Sequence, residues 1–241
     1  MPGLNRNILQ ALPVFGTMDE AELDDAIARA TSFHIPKGSS VFKQGQPATA
    51  FYVLLHGRLK VVQVTPDGKQ VVIRFVSPGD IYGIAKALKR PDYPATATAL
   101  LDSVTLAWDM SIWDSFMARH PSFALNVMQM MGQRIQEAHV RLTEMSTEDV
   151  EHRVAHALLR LIKQSGREVD EGILVDFPIT RQEIAEASGT TLHSVSRLLR
   201  AWEDSGLVVA GRKKVIVCDI EGLALIAEKT RARNGQQRLE R

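Results

Sequence analysis

The sequence predicts an α+β chain: an N-terminal β-roll, one long helix and a C-terminal winged helix-turn-helix. Three observations carry that prediction. Short β-branched runs between Phe33 and Trp108 are punctuated by Gly38, Gly45, Gly57, Gly68 and Gly79, a spacing of about ten residues that marks regular short strands. Apolar residues from Ala124 to Met145 recur in alternating steps of four and three, as on one seam of a helix. The stretch from Thr180 to Gly206, TRQEIAEASGTTLHSVSRLLRAWEDSG, reads as two short helices around one glycine.

Taken in order, residues 4 to 30 read as helical, with Thr17 and Glu20 as a capping box. The runs VF, FYVLL, LKVVQV, VVIRFV and VTLAW follow, and Pro66-Asp67-Gly68 marks a hairpin. Residues 111–145 are helical again. Their seam, Ala124, Met128, Met131, Ile135, Ala138, Leu142 and Met145, either packs on its own domain or pairs with a second copy. The dimer is preferred, because reading a palindrome takes two reading heads about one DNA turn apart. Methionine also makes a seam deformable. Ser146 and Asp149 read as a further capping box, starting a helix to about Gln164 before Gly166. The hinge is placed at Thr143 to Thr147. The expected divisions are 1–110, sensor; 111–145, dimerisation helix; 146–230, reading domain; and 231–241, a flexible polar tail.

Within the helix-turn-helix, Thr180 and Glu183 cap the first helix, Ile184 and Ala185 point inward, and Gly189 supplies the positive φ of the turn. The second helix starts near Thr191 and buries Val195, Leu198, Leu199 and Trp202. Leu192, His193, Ser194, Ser196 and Arg197 are left outward. A recognition helix lays its N-terminal residues against base edges, so His193, Ser196 and Arg197 are assigned to bases. Thr180, Arg181, Thr191 and Ser194 are assigned to phosphates. Two strands around Gly211 then form a wing, with Arg212, Lys213 and Lys214 at its tip and Lys213 and Lys214 on phosphates. A helical hairpin in an ordinary core is the alternative that the wing argues against.

Net charge is +1, which points to local basic surface and specific binding rather than a general grip on polyanions. The single Cys218 excludes an intrachain disulfide and a four-cysteine iron–sulfur cluster in one chain. No run of eighteen apolar residues is present, and MPGLNRNILQ lacks the order of a signal peptide. A cytoplasmic protein without a membrane partner is expected.

The glycine-punctuated roll, the long helix and the winged motif together resemble the cyclic-AMP receptor protein and fumarate–nitrate-reduction regulator superfamily over essentially the whole chain. SPGDIYGIAKAL and ITRQEIAEASGTTLHSVSRLLRAWEDSGLV carry the resemblance. It implies a cyclic-nucleotide-binding-like jelly roll and a homodimer acting on promoter DNA and RNA polymerase. It matches Arg181, Thr191 and Ser194 to backbone-contacting positions and His193, Ser196 and Arg197 to the base-reading triplet. Nitrate- and oxygen-responsive members mostly have glutamate first in that triplet, where His193 stands here. A half-site of the TTG-N8-CAA type follows, with Leu192 on a thymine methyl.

The family's nucleotide cassette uses a glutamate and an arginine; Ile84 and Pro94 occupy those positions, so cyclic AMP is not the expected effector. Lys86, Lys89 and Arg90 nearby read as solvated loop charge. YPATATA and the reading head resemble the nitric-oxide-responsive regulators of denitrification, which implies haem as sensor. A cyclic-nucleotide-responsive regulator of the same fold is the alternative. His34, His56, His120 and His139 read as surface or core residues. His152 and His156 have metal-ligand spacing, but Arg153 stands where the metalloprotease signature needs glutamate. An enzyme is not expected, since no GxSxG, HExxH, Walker or GxGxxG motif occurs.

Overall fold

The computed structural model describes residues 6–236. Two compact units are present, Met1–Glu137 and Ala138–Arg241. The division falls inside the long helix rather than at either end of it.

In the first unit, helices α1 (Arg6–Gln10) and α2 (Glu20–Ala28) precede an antiparallel roll. Its strands are β1 (Thr31–Ile35), β2 (Ser40–Phe42), β3 (Ala50–His56), β4 (Leu59–Val64), β5 (Gln70–Val76), β6 (Ile81–Tyr82), β7 (Thr96–Ala99) and β8 (Ser103–Asp109). They form two four-stranded sheets, ordered β1-β8-β3-β6 and β2-β7-β4-β5. Register brings Phe51 opposite Trp108, and these rings stack 5.5 Å apart. Phe116 and Phe123 extend the ladder from the following helices, and Phe15 closes it. The Trp108 indole donates to Ala26 O at 2.8 Å, which fastens α2 to the roll.

Helix α3 (Trp113–Arg119) stops at His120, and α4 (Pro121–Thr147) begins on the next residue. The expected continuous helix from 111 is thus broken, because a proline cannot donate to the preceding turn but suits the first helical position.

Two expected caps shift by a few residues. Asp19 with Glu22, not Thr17 with Glu20, forms the box on α2; the Thr17 hydroxyl instead donates to Asn126. Ser146 lies inside α4, bonded to Leu142 O, and Asp149 alone caps α5 (Val150–Ser165).

In the second unit, α5 is followed by a hairpin that the sequence reading missed, β9 (Gly166–Val169) and β10 (Gly172–Val175). It joins the wing strands β11 (Val208–Gly211) and β12 (Lys214–Val217) in one sheet, ordered β11-β12-β10-β9. Between the hairpins lie α6 (Arg181–Ser188) and α7 (Leu192–Asp204). Helix α8 (Ile220–Gln236) closes the description. The first residues of the expected tail, 231–236, are therefore helical, although Asn234 and Gly235 are weak helix formers; residues 237–241 lie outside the described part.

Candidate nucleic-acid interface

The reading head is fixed from its ends inward. The Thr180 hydroxyl accepts from Glu183 N at 3.1 Å and donates to Glu183 Oε2 at 2.9 Å, while Thr180 N donates to the same carboxylate at 2.8 Å. That hydroxyl, assigned to phosphate, is already engaged by its own helix. Gly189 takes φ +63° and ends α6. Thr191 caps α7, its hydroxyl accepting from Ser194 N at 3.2 Å and lying 3.0 Å from Ser194 Oγ. Val195, Leu199 and Trp202 are buried, and Leu198 is half-buried.

This packing leaves Leu192, His193 and Arg197 exposed, with Ser194 and Ser196 half-buried. Arg200 is exposed too. It follows His193 and Arg197 at helical spacing, a signal in HSVSRLLR that the sequence reading passed over. Arg181 is half-buried, 4.0 Å from Glu203. Glu203 in turn accepts from Ala210 N at 2.9 Å, tying α7 to the wing. At the wing tip Arg212, Lys213 and Lys214 are all exposed. The turn's positive φ, +59°, belongs to Lys213 and not to Gly211.

On α4, Met128, Ile135 and Leu142 are 68%, 58% and 64% exposed, and Ala138 is exposed as well. Met131 instead packs against the roll's core, and Ala124 is half-buried. Met145 lies near the turn of the reading head, its Cε 3.1 Å from where a Cβ on Gly189 would stand. The free face therefore runs Leu125, Met128, Gly132, Ile135, His139, Leu142, all exposed. Of the expected seam, Met128, Ile135, Ala138, Leu142 and Met145 are exposed, and Ala124 and Met131 are half-buried.

Inside the roll, Phe42 stacks on Tyr93 at 3.9 Å and Tyr52 on Tyr82 at 5.1 Å. Tyr93 donates to Ala50 O at 2.7 Å and Tyr82 to Thr105 at 2.9 Å; burial pushes the Tyr52 and Tyr82 hydroxyls well above their ordinary range. Gly83, before Ile84, lies so close that a Cβ would stand 2.8 Å from the Tyr52 ring. Lys86 pairs with Asp114 at 2.7 Å and Arg90 with Asp92 at 2.9 Å, so neither is simply solvated. Beside this region Arg74 and Arg134 converge on Asp80, at 3.5 and 3.0 Å, and both donate to Ile81 O. Burial, and then the Arg134 cation, lower Arg74 to about 10.

The histidines do not assemble into an open ligand position. His34, His56, His139 and His193 are exposed. His152 faces Asp149, and His156 faces Glu144 and Glu148. His120 is buried between Phe116 and Asp25. Among the described residues no group of three or more His, Cys, Asp or Glu is placed to hold a metal ion.

Comparison with known proteins fits both halves of this arrangement. Residues 32–120 match the cyclic nucleotide-binding domain, and residues 152–226 match the Crp-like helix-turn-helix domain. The chain belongs to the Crp/Fnr family of DNA-binding transcription regulators. It is 28% identical over 220 residues to the cyclic AMP receptor protein of Thermus thermophilus, covering 91% of this chain and 97% of that one. It is 24% identical to the transcriptional activator protein FnrA of Stutzerimonas stutzeri, over 90% of this chain and 88% of that one. In fold it resembles FixK2 of Bradyrhizobium japonicum, with a TM-score of 0.70, 21% identity, and 82% of this chain and 96% of that one covered. Among the described residues of this Crp/Fnr protein, no helix is long and apolar enough to cross a membrane.

Proposed function

We propose that this Crp/Fnr protein acts as a homodimer on a palindromic promoter site of the TTG-N8-CAA type and hands control to RNA polymerase. The observation that carries the reading is the exposed row Leu192, His193, Arg197 and Arg200 beside the wing tip Arg212, Lys213 and Lys214. Arg197 reads guanine through two hydrogen bonds and His193 sets the neighbouring base. Ser196 is half-buried and reaches a base only at close approach. Arg181, Thr191, Ser194, Arg200, Lys213 and Lys214 hold phosphates; Thr180 acts by capping α6.

The dimer reading rests on the exposed apolar face of α4. A glycine inside a helix costs about 1 kcal/mol relative to alanine, and Gly132, with nothing within 4 Å of its Cβ position, suits a second helix approaching closely. Two copies supply the two half-sites.

For the effector, the resemblance favours nitric oxide or a nitrogen oxide of denitrification, sensed through haem. No described histidine is marked out as a haem ligand: His34, His56, His139 and His193 are exposed, and His152 and His156 face carboxylates, so the resemblance carries the haem reading. A cyclic nucleotide is the alternative, and the matched domain supports it. Against the cassette's usual contacts stand Ile84, Pro94 and the aromatic packing at Gly83, since a phosphate without arginine loses its charge-assisted pair.

Fluorescence anisotropy tests the function: a TTG-N8-CAA duplex against a scrambled one at a single salt concentration, with cyclic AMP, with haemin, and with haemin plus nitric oxide. Preference for the palindrome in any arm supports the reading. Equal binding in every arm removes the half-site assignment.

A further inference from the structure

The end of α4 carries a joint that DNA contact does not explain. The hydroxyls of Thr143, Ser146 and Thr147 donate to the carbonyls of His139, Leu142 and Thr143 at 3.0, 2.9 and 2.8 Å. Such bonds to the preceding turn compete with the helix ladder and favour bending. Only Glu148 and Asp149 then separate α4 from α5.

Buried charge spans this softened stretch. Glu144, on α4, is 4% exposed. Both its carboxylate oxygens accept from Arg160 Nη1, on α5, at 2.6 and 2.8 Å. His156 lies one turn before Arg160, with Nδ1 3.8 Å from Glu144 and Nε2 3.4 Å from Glu148. A carboxylate taken from water is tolerated only while its counter-charge stays in place, and removing one partner costs far more than the intact pair contributes.

Helix α5 is also fastened to the reading head. Arg153 donates to Ser188 O at 3.2 Å and to Gly189 O at 3.5 Å, and the Trp202 indole donates to Glu151 at 3.3 Å. Whatever fixes α5 against the end of α4 therefore aims α6 and α7.

The geometry points to Glu144, Arg160 and His156 as positioning residues, an ionic joint that holds the reading head at one angle to the end of α4 and so sets the separation of two recognition helices. This rests on the dimeric DNA-binding reading above. Neither Glu144 nor Arg160 needs to approach DNA for this role.

The test uses the full chain with Cys218→Ser and a spin label at Ala201→Cys, an exposed position of α7. Two quantities are read, the label-to-label distance distribution in the dimer and the affinity ratio between palindromic and scrambled duplexes. Glu144→Gln is expected to broaden the distances and lower the ratio about tenfold, the size of mutations that change coupling without touching a ligand. Exchanging the charges, Glu144→Arg with Arg160→Glu, is expected to restore both. Arg160→Gln, at a partly solvated group, supplies the same reading where Glu144→Gln does not fold. Unchanged distances and ratio in the single variants, or an exchange that restores melting temperature alone, overturns the joint. A labelled parent with no dipolar signal or no duplex preference overturns the dimeric reading itself, which tells the two failures apart.

Discussion

The indole of Trp202 donates to the Glu151 carboxylate at 3.3 Å, joining the buried face of α7 to the first turn of α5. Trp202 is 3% exposed, so most of its contribution is packing rather than that one bond. Trp202→Ala is expected to cost about 3–5 kcal/mol, as full truncation of a buried aromatic does. Glu151→Gln keeps an acceptor and should cost well under half of that. Urea unfolding followed by circular dichroism compares the two; similar losses in both would mean that the bond, not the packing, holds the helices together.

Arg197 and Lys213 separate reading from holding. Arg197→Ala should cost about 1–3 kcal/mol at the cognate duplex and relax discrimination at the guanine. An unchanged specificity ratio would remove Arg197 from the bases. Lys213→Gly should weaken all duplexes alike and reduce the salt slope by about one. Because Lys213 holds φ +59°, the same change relieves a strain of roughly 1–2 kcal/mol and should raise the melting temperature. A weaker binder that also melts lower would contradict that account.

The reading head was legible because its chemistry is local. A capping pair, a positive-φ glycine and a helical stripe each sit within a few residues of what they determine, and Thr180, Gly189 and Trp202 stand where those rules put them. The errors fall where a distant contact decides. Thr17 and Asp19 can both cap a helix, and the bond from Thr17 to Asn126 leaves Asp19 to do it. Periodicity fixes Met128, Ile135 and Leu142 but cannot tell which neighbouring row faces the roll, and Met131 turns there. The β9-β10 hairpin is hidden because GREVDEGILV mixes charge with short apolar runs, although Gly172, at φ +142°, marks its turn.

The exposed face of α4 and the inward Met131 make a sharp contrast between two apolar residues. Ile135→Glu places a charge on the exposed stripe and should convert a dimer to a monomer with little loss of fold. Met131→Ala should leave the mass unchanged and cost about 1–3 kcal/mol, because it opens the roll's core instead. Light scattering and thermal melting read both. Monomers from both substitutions would put Met131 back in the seam beside Ile135, as the heptad count drew it.

His120, at the junction of α3 and α4, gives the fold an acid sensitivity of known sign. Its ring is 1% exposed and lies 4.5 Å from Phe116. Asp25 and Glu22 face it with negative charge, Arg119 and Arg29 with positive. Burial holds the imidazole below its ordinary 6.5, outweighing the Asp25 carboxylate 3.2 Å from Nε2. Because the folded value lies below the unfolded one, the unfolded chain takes the proton first as pH falls. The stabilisation is complete above about pH 6.5 and is lost as pH drops toward the folded value. The melting temperature should therefore fall as pH drops below about 6.5, with a shallower fall in His120→Gln. Equal slopes in the two proteins would mean that the ring gains its charge at no cost, which its enclosure by Phe116 and the α2 side chains does not allow.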